Sequence, residues 1–142
     1  MTVTERETTA MVERLAKATN AHDLDALVDC FAAGYVNQTP LHPARGFTGP
    51  EQVRRNWQQI FSFVPDLQVT VTRQIVDGDQ AWTEWEMSGT RPDGSPHLMR
   101  GVIIFTVGAD GRASAARFYL EPVDFSESDV NAAVRTIAQP RS

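Results

Sequence analysis

Tyr35 and Asn37 stand two residues apart in a short stretch of strand character, a spacing suited to chemistry on an oxygen atom. Alternate residues of a strand share a face, so a phenol and a carboxamide can be presented together. Such a pair hydrogen-bonds a ligand oxygen or stabilises an enolate-like charge; the plainer alternative is a strand pair that bonds nearby backbone. His42 follows in a loop between prolines. An imidazole titrates near neutral pH, which makes His42 a candidate general base, or else a solvated loop side chain. His97, beside Gly94-Ser95-Pro96, reads as exposed, His22 as a helix-junction residue, and Asp66 as the cap of the turn after Pro65 or, alternatively, as a side chain that reaches the sheet edge. No pair of histidines and carboxylates has metal-ligand spacing, so no metal is expected. There is no phosphate-binding glycine loop and no Gly-x-Ser-x-Gly elbow, and no cofactor is expected. Cys30 is the only cysteine, which excludes an intramolecular disulfide; it reads as a small buried residue on a helix.

The elements that must position these groups fall into two halves. Thr4 to about Thr19 reads as a helix, with Val12, Leu15 and Ala16 at helical spacing. Asp23 caps a second helix whose apolar face is Leu24, Leu27, Val28 and Phe31, ended by Gly34. Tyr35 to Gln38 is a short strand, and a turn-rich loop from Thr39 to Phe47 follows. Pro50 opens a third helix carrying Val53, Trp57, Ile60 and Phe61, stopped by Pro65. From Leu67 the pattern changes to period two. Strands are expected over Leu67–Val76, Gln80–Thr90, Leu98–Val107 and Ala113–Val123, each break carrying Asp-Gly or Gly-Asp. A last amphipathic helix is expected from about Glu127 to Ile137. Helices followed by a meander predict an α+β fold, with three helices on the concave side of a curled, mostly antiparallel sheet.

Alternation sorts the strand residues into two faces. Thr83, Trp85 and Met87, then Met99, Ile103 and Phe105, then Phe118 and Leu120 point to the core, because the opposite choice would bury Glu84 and Glu86 together. With Trp57 these side chains are expected either to be plain core or to line an apolar ligand pocket. The outer face takes Trp82, Glu84, Glu86, Arg100, Val102, Ile104, Arg117, Tyr119 and Glu121. Apolar surface mixed with charge there predicts a homodimer through that face, the alternative being a solvated face of cross-strand ion pairs.

Bulk properties fit this frame. A chain of 142 residues supports one domain, residues 1–142, with its core over about 5–124. Hydrophobic residues are 42% and charged residues 22%, which argues against disorder away from the ends. A net charge of -5 argues against nucleic acid and anionic membranes as partners. Neither a leader segment nor a spanning segment is visible, so a cytoplasmic location is expected. Lys17 is the only lysine, a coding bias that points to a GC-rich bacterial source.

The order of several short motifs resembles the SnoaL-like proteins of the nuclear transport factor 2-like, ketosteroid isomerase-like superfamily. They are Asp23-Leu24-Asp25-Ala26-Leu27, Tyr35-Val36-Asn37, Gly49-Pro50-Glu51, Phe63-Val64-Pro65-Asp66, Gly89-Thr90, Arg100-Gly101-Val102 with Ile104-Phe105, Asp110-Gly111-Arg112, and Arg117-Phe118-Tyr119-Leu120-Glu121. The resemblance covers roughly Glu5 to Asp124 and rests on order and spacing rather than on any one motif. It implies a cone-shaped fold, commonly dimeric, with a deep pocket. It also implies a range of activities that includes polyketide cyclases, isomerases, dehydratases and epoxide hydrolases, besides members of no known activity. Tyr35 and Asn37 fall where the epoxide hydrolases of the family hold water, and Asn37 where the cyclases place a pocket asparagine. Elsewhere the sequence departs from the pattern. The position of the cyclases' catalytic acid is Phe118 and that of their histidine is Phe105. The hydrolases' Arg and Asp positions are Trp85 and Met87. Two functions are therefore carried forward. One is a cofactor-independent tailoring enzyme of cyclase, isomerase or hydratase/hydrolase type, acting on a small lipophilic polyketide- or terpenoid-like metabolite, with Tyr35, Asn37 and His42 as its polar groups. The other is a non-catalytic binding protein for a similar molecule, favoured by Phe118.

Overall fold

The computed structural model describes residues 2–140. Helix α1 spans Glu5–Asn20 and begins at a capping box. The Thr4 side chain accepts from the Glu7 backbone N–H at 3.1 Å, while Glu7 reaches back to the Thr4 backbone N–H. Two orphan donors of the first turn are thereby satisfied, and Glu5 and Glu7 sit where the helix dipole favours negative charge. The buried face is Thr8, Met11, Val12, Leu15, Ala18 and Thr19, a stripe at three- and four-residue spacing. The Thr8 hydroxyl, fully buried, donates to the Gly78 carbonyl at 2.7 Å and ties the helix to the first hairpin.

Helix α2, Leu24–Val28, is capped by Asp23, whose carboxylate accepts from the Ala26 N–H at 3.1 Å. It is shorter than the sequence pattern predicts. Phe31, assigned above to its apolar face, instead starts strand β1, Phe31–Gln38. Long-range pairing overrides local helical spacing here. Phe31 lies opposite Ala113, the Ala113 N–H donates to the Cys30 carbonyl at 2.8 Å, and Arg112 holds the Asp29 carbonyl and carboxylate, both at 2.9 Å. Gly34, expected to end a helix, falls within the break in register between Phe31 and Val36.

After a 3-10 turn at Pro43–Arg45 comes β2, Phe47–Thr48, a two-residue edge strand inside the expected loop. Helix α3 is Pro50–Phe63, with Pro50 in its first turn. The remaining elements are β3 Gln68–Asp77, β4 Gln80–Thr90, β5 Pro96–Val107, β6 Ala113–Pro122 and α4 Val130–Ala138. The six strands form one sheet in the order β2-β1-β6-β5-β4-β3, in which only the β1–β6 pairing is parallel. The fold is α+β: a curved, cone-like sheet with the three N-terminal helices in its concavity and a short helix at the C-terminal end.

The register fixes which residues share a face. Thr83 stands opposite Ile103, which stands opposite Phe118; Ala81, Phe105 and Ala116 form the next inward row. Outward, Ile75, Trp82, Ile104 and Arg117 lie side by side. Ile104 is covered by its neighbours and only 9% exposed, whereas Ile75 is 74% and Trp82 56% exposed. At one end of the cone, α1 seals the concavity with Met11, Val12 and Leu15 over β3, β4 and β5. At the other end α3 packs against β1 and leaves the core open. Among the described residues no helix is long and apolar enough to cross a membrane.

Candidate functional site

Strand β1 presents Tyr35, Asn37 and, just beyond its end, Thr39 on one face. Tyr35 is 1% and Asn37 7% exposed. The Tyr35 hydroxyl donates to Asn37 Oδ1 at 2.7 Å, and Asn37 Nδ2 makes only a long 3.5 Å contact with Thr39 Oγ1. Phe31 and Phe47 meet the Tyr35 ring edge-on at 4.7 and 6.1 Å. Burial pushes the Tyr35 phenol well above its ordinary range, so it stays protonated at every physiological pH. That single proton goes to Asn37. The donor left for a guest molecule is the Asn37 amide N–H, polarised by the phenol behind it.

These groups open into a cavity of about 310 Å³ between α3, β1 and the ends of β4, β5 and β6. The volume is at the small end for ligand pockets. Of the residues assigned to the site from sequence, Tyr35, Asn37, Trp57, Met87, Met99, Phe118 and Leu120 line it. Thr83, Trp85, Ile103 and Phe105 do not. They lie in the sealed end of the cone, each no more than 2% exposed, beneath the α1 stripe. Thr83 has its hydrogen bonds committed there: it accepts from the Trp85 indole at 2.7 Å and donates to the Ile103 carbonyl at 2.6 Å. Alternation places all these side chains on the concave face; it does not tell how far along each strand the covering helix reaches.

His42 is not on the cavity wall. Its Nε2 lies 2.8 Å from Glu121 Oε1, and it is Glu121 that lines the cavity. Alternation had put Glu121 on the outer face with Arg117 and Tyr119. Glu121 lies opposite Arg100 near the end of β6, where it borders the cavity and meets His42 of the loop after Gln38. His97, expected exposed, is half-buried on the cavity wall; burial, and then nearby Arg91, hold its pKa below the ordinary histidine value. Phe31, Phe47 and Leu67 add apolar wall, and Arg45, Asn56 and Thr39 add polar rim. Of the two readings of Asp66, the structure shows the one that reaches the sheet. Asp66 crosses to the sheet, accepting from the Thr90 N–H and hydroxyl at 2.8 Å each, and these bonds lower its pKa. His22 sits at the α1–α2 junction, stacked on Phe61 at 4.4 Å, with Nε2 2.8 Å from the Leu67 carbonyl. Among the described residues no three His, Cys, Asp or Glu side chains converge as metal ligands do.

An open cone with a polar strand on one wall and apolar residues on the others is the architecture of the nuclear transport factor 2-like proteins. The chain belongs to the SnoaL-like domain family, whose profile matches residues 12–116. No curated protein sequence matches it. Among solved structures, a candidate ketosteroid isomerase from Kribbella flavida is 21% identical, with a TM-score of 0.68 over 96% of this chain and 90% of that one. IdmH, described as a candidate polyketide cyclase from Streptomyces antibioticus, is 24% identical with a TM-score of 0.69 over 80% and 91%. RV0760c from Mycobacterium tuberculosis, solved with estradiol-17β-hemisuccinate, is 18% identical with a TM-score of 0.70 over 80% and 92%. At these identities the likeness is one of fold.

Proposed function

We propose that the cavity takes up a small lipophilic metabolite, polyketide- or terpenoid-like, and that the protein acts on it as a cofactor-independent tailoring enzyme of cyclase, isomerase or hydratase/hydrolase type. The carrying observation is the buried Tyr35–Asn37 hydrogen bond at the wall of an otherwise apolar cavity. Burying two polar groups in such a place costs stability unless they are paired, and here one amide N–H remains without a short partner. An oxygen of the guest fits that vacancy. The apolar walls select by shape and fold the guest against the amide, and the amide then stabilises charge that develops on its oxygen. The fold relatives support a pocket of this use: one is described as a candidate cyclase and one holds a steroid ester.

A second reading, a non-catalytic binding protein for the same class of molecule, is favoured by one observation. Phe118, at the position where the family resemblance puts the catalytic acid, is a cavity wall residue with nothing to ionise. Native mass spectrometry of the purified protein for a co-purifying molecule identifies the guest. Asn37→Ala should then weaken its binding about tenfold, roughly 1.4 kcal/mol, and Tyr35→Phe should cut any turnover at least tenfold with the fold intact. If Phe118→Asp alone creates turnover of a molecule that the native protein only binds, the binding reading stands and the enzyme reading falls.

The same proposal includes a homodimer through the outer sheet face. Exposed Ile75 and Trp82 beside the buried Ile104 support it. The Arg100–Glu86 ion pair at 2.9 Å shows that this face is also partly self-satisfied.

A further inference from the structure

We infer that the groove beside the cavity, between α3 and the turn from β4 to β5, is a subsite for a carboxylate, and that the guest is a lipophilic monocarboxylic acid whose apolar body fills the cavity while its charged end pairs with Arg91. The inference rests on the reading of the cavity as a ligand site and names the chemical class of its guest.

The cavity does not end at its own walls. A second hollow of about 550 Å³ adjoins it, and Asn56, Ile60 and His97 line both. A guest too long for the 310 Å³ cavity therefore continues past these three side chains into the groove. Phe63, 58% exposed, gives the groove an apolar side. Its charged side is Arg91, and among the described residues no carboxylate forms an ion pair with that guanidinium. Asp93, two residues on, is committed elsewhere: it accepts from the Ser95 N–H at 2.9 Å and from the Ser95 hydroxyl at 2.6 Å. The turn that carries Arg91 is closed by its backbone N–H donating to the Ser95 carbonyl at 2.9 Å, and one terminal nitrogen of its side chain donates to Ser95 Oγ at 3.3 Å. Arg91 is thus anchored at its base, with most of its five N–H donors left for a guest.

The neighbouring polar groups complement an anion of single charge. Asn56 Oδ1 accepts from Gln52 at 2.7 Å, which leaves the Asn56 amide N–H groups to donate. His97 is half-buried, and burial together with Arg91 keeps it neutral near pH 7, so it adds an imidazole N–H without adding charge. One guanidinium with neutral donors balances a carboxylate, whose two oxygens match the planar fork of an arginine; a phosphate dianion would keep one charge uncompensated. Glu121 sets the direction in which the guest lies. It lines the cavity and not the groove, so a carboxylate guest separates like charges by turning its charged end toward Arg91. Arg45, the other arginine at the cavity, does not border the groove.

The test compares octanoate with octanamide, which has the same chain and a neutral head, by titration calorimetry near neutral pH; acetate and octyl phosphate are measured beside them. The wild-type protein should bind octanoate about tenfold more tightly than octanamide, the scale of a charge-assisted hydrogen bond at a partly exposed site. Arg91→Gln, an exposed substitution that keeps the length of the side chain, should bring the two within about twofold of each other and leave octanamide unchanged. Arg45→Gln should keep the preference. A general disturbance of the fold would weaken both ligands together. If octanamide binds as well as octanoate, or the preference survives Arg91→Gln or is lost with Arg45→Gln, the groove assignment is overturned and the cavity reading stands. Tighter binding of octyl phosphate than of octanoate overturns the choice of a carboxylate. If acetate binds as tightly as octanoate and Arg91→Gln abolishes both, the groove holds an anion but no chain enters the cavity, and the cavity reading falls. If none of the four binds, both fall.

Discussion

Tyr35 gives its only hydroxyl proton to the Asn37 amide oxygen. Tyr35→Phe leaves Asn37 Oδ1 buried without a donor, at a cost of about 1–3 kcal/mol. The same substitution has a pH signature. Burial raises the folded-state pKa of Tyr35 above that of an unfolded tyrosine, about 10. Its contribution is therefore complete below about pH 10 and is lost as the pH rises beyond that value, where the unfolded chain releases the proton and the folded one does not. Urea midpoints from pH 8 to 11 should fall more steeply for the wild type than for Tyr35→Phe; parallel curves would contradict the burial argument. Gly101 makes a second residue-scale prediction. It lies in β5 with φ of 153°, and a Cβ there would collide with the Tyr119 carbonyl oxygen across the strand pair. Gly101→Ala should cost roughly 2–3 kcal/mol by overpacking, read from denaturant unfolding. At this scale the sequence was legible where spacing alone decides. Tyr35 and Asn37, two apart on a strand, do face one cavity. The place of Glu121 at the cavity edge was not legible, because its contact with His42 joins residues far apart in sequence that no local pattern links.

Among the elements, legibility followed the range of the contacts that make them. The β3–β4 and β4–β5 hairpins are built from local alternation and Asp-Gly turns, and β4 runs from Gln80 to Thr90 as the pattern predicts. The second helix was over-extended, because Phe31 answers to Ala113 at the far end of the chain rather than to Leu27. Strand β2 has two residues and no periodicity to detect. Helix α4 is the converse case. Its amphipathic pattern makes it readable, yet it has no buried residue, and Val130, Val134 and Ile137 are 73, 56 and 83% exposed. Its tertiary packing contributes little stability. Ending the chain after Val123 should leave the melting temperature within about 2 °C, measured by circular dichroism, since about 1 kcal/mol shifts a domain of this size by several degrees. A larger fall would mean that α4 is buried against something in solution.

For the molecule as a whole, the division into a sealed end and an open end was the part least available from sequence. The concave set of side chains was correct, but α1 takes half of it as core and leaves the other half as cavity wall. The outer face bears on assembly. Trp82→Glu places a charge in the exposed row beside Ile75 and should convert a homodimer to monomer in sedimentation analysis, with the circular dichroism spectrum unchanged. A wild type that sediments as a monomer at all concentrations would remove the homodimer from the account.

The single parallel pairing in the sheet also sets a timetable. During synthesis β1 leaves the ribosome long before β6, and until β6 follows, the strand carrying Tyr35 and Asn37 has only the two residues of β2 to pair with. Its backbone and its two polar side chains must wait through the making of three intervening strands. A chain lacking Ala113 onward would lose the strand that pairs with β1 and, with it, Phe118, Leu120 and Glu121 of the cavity wall; the cavity is completed only when the last strand closes on the first.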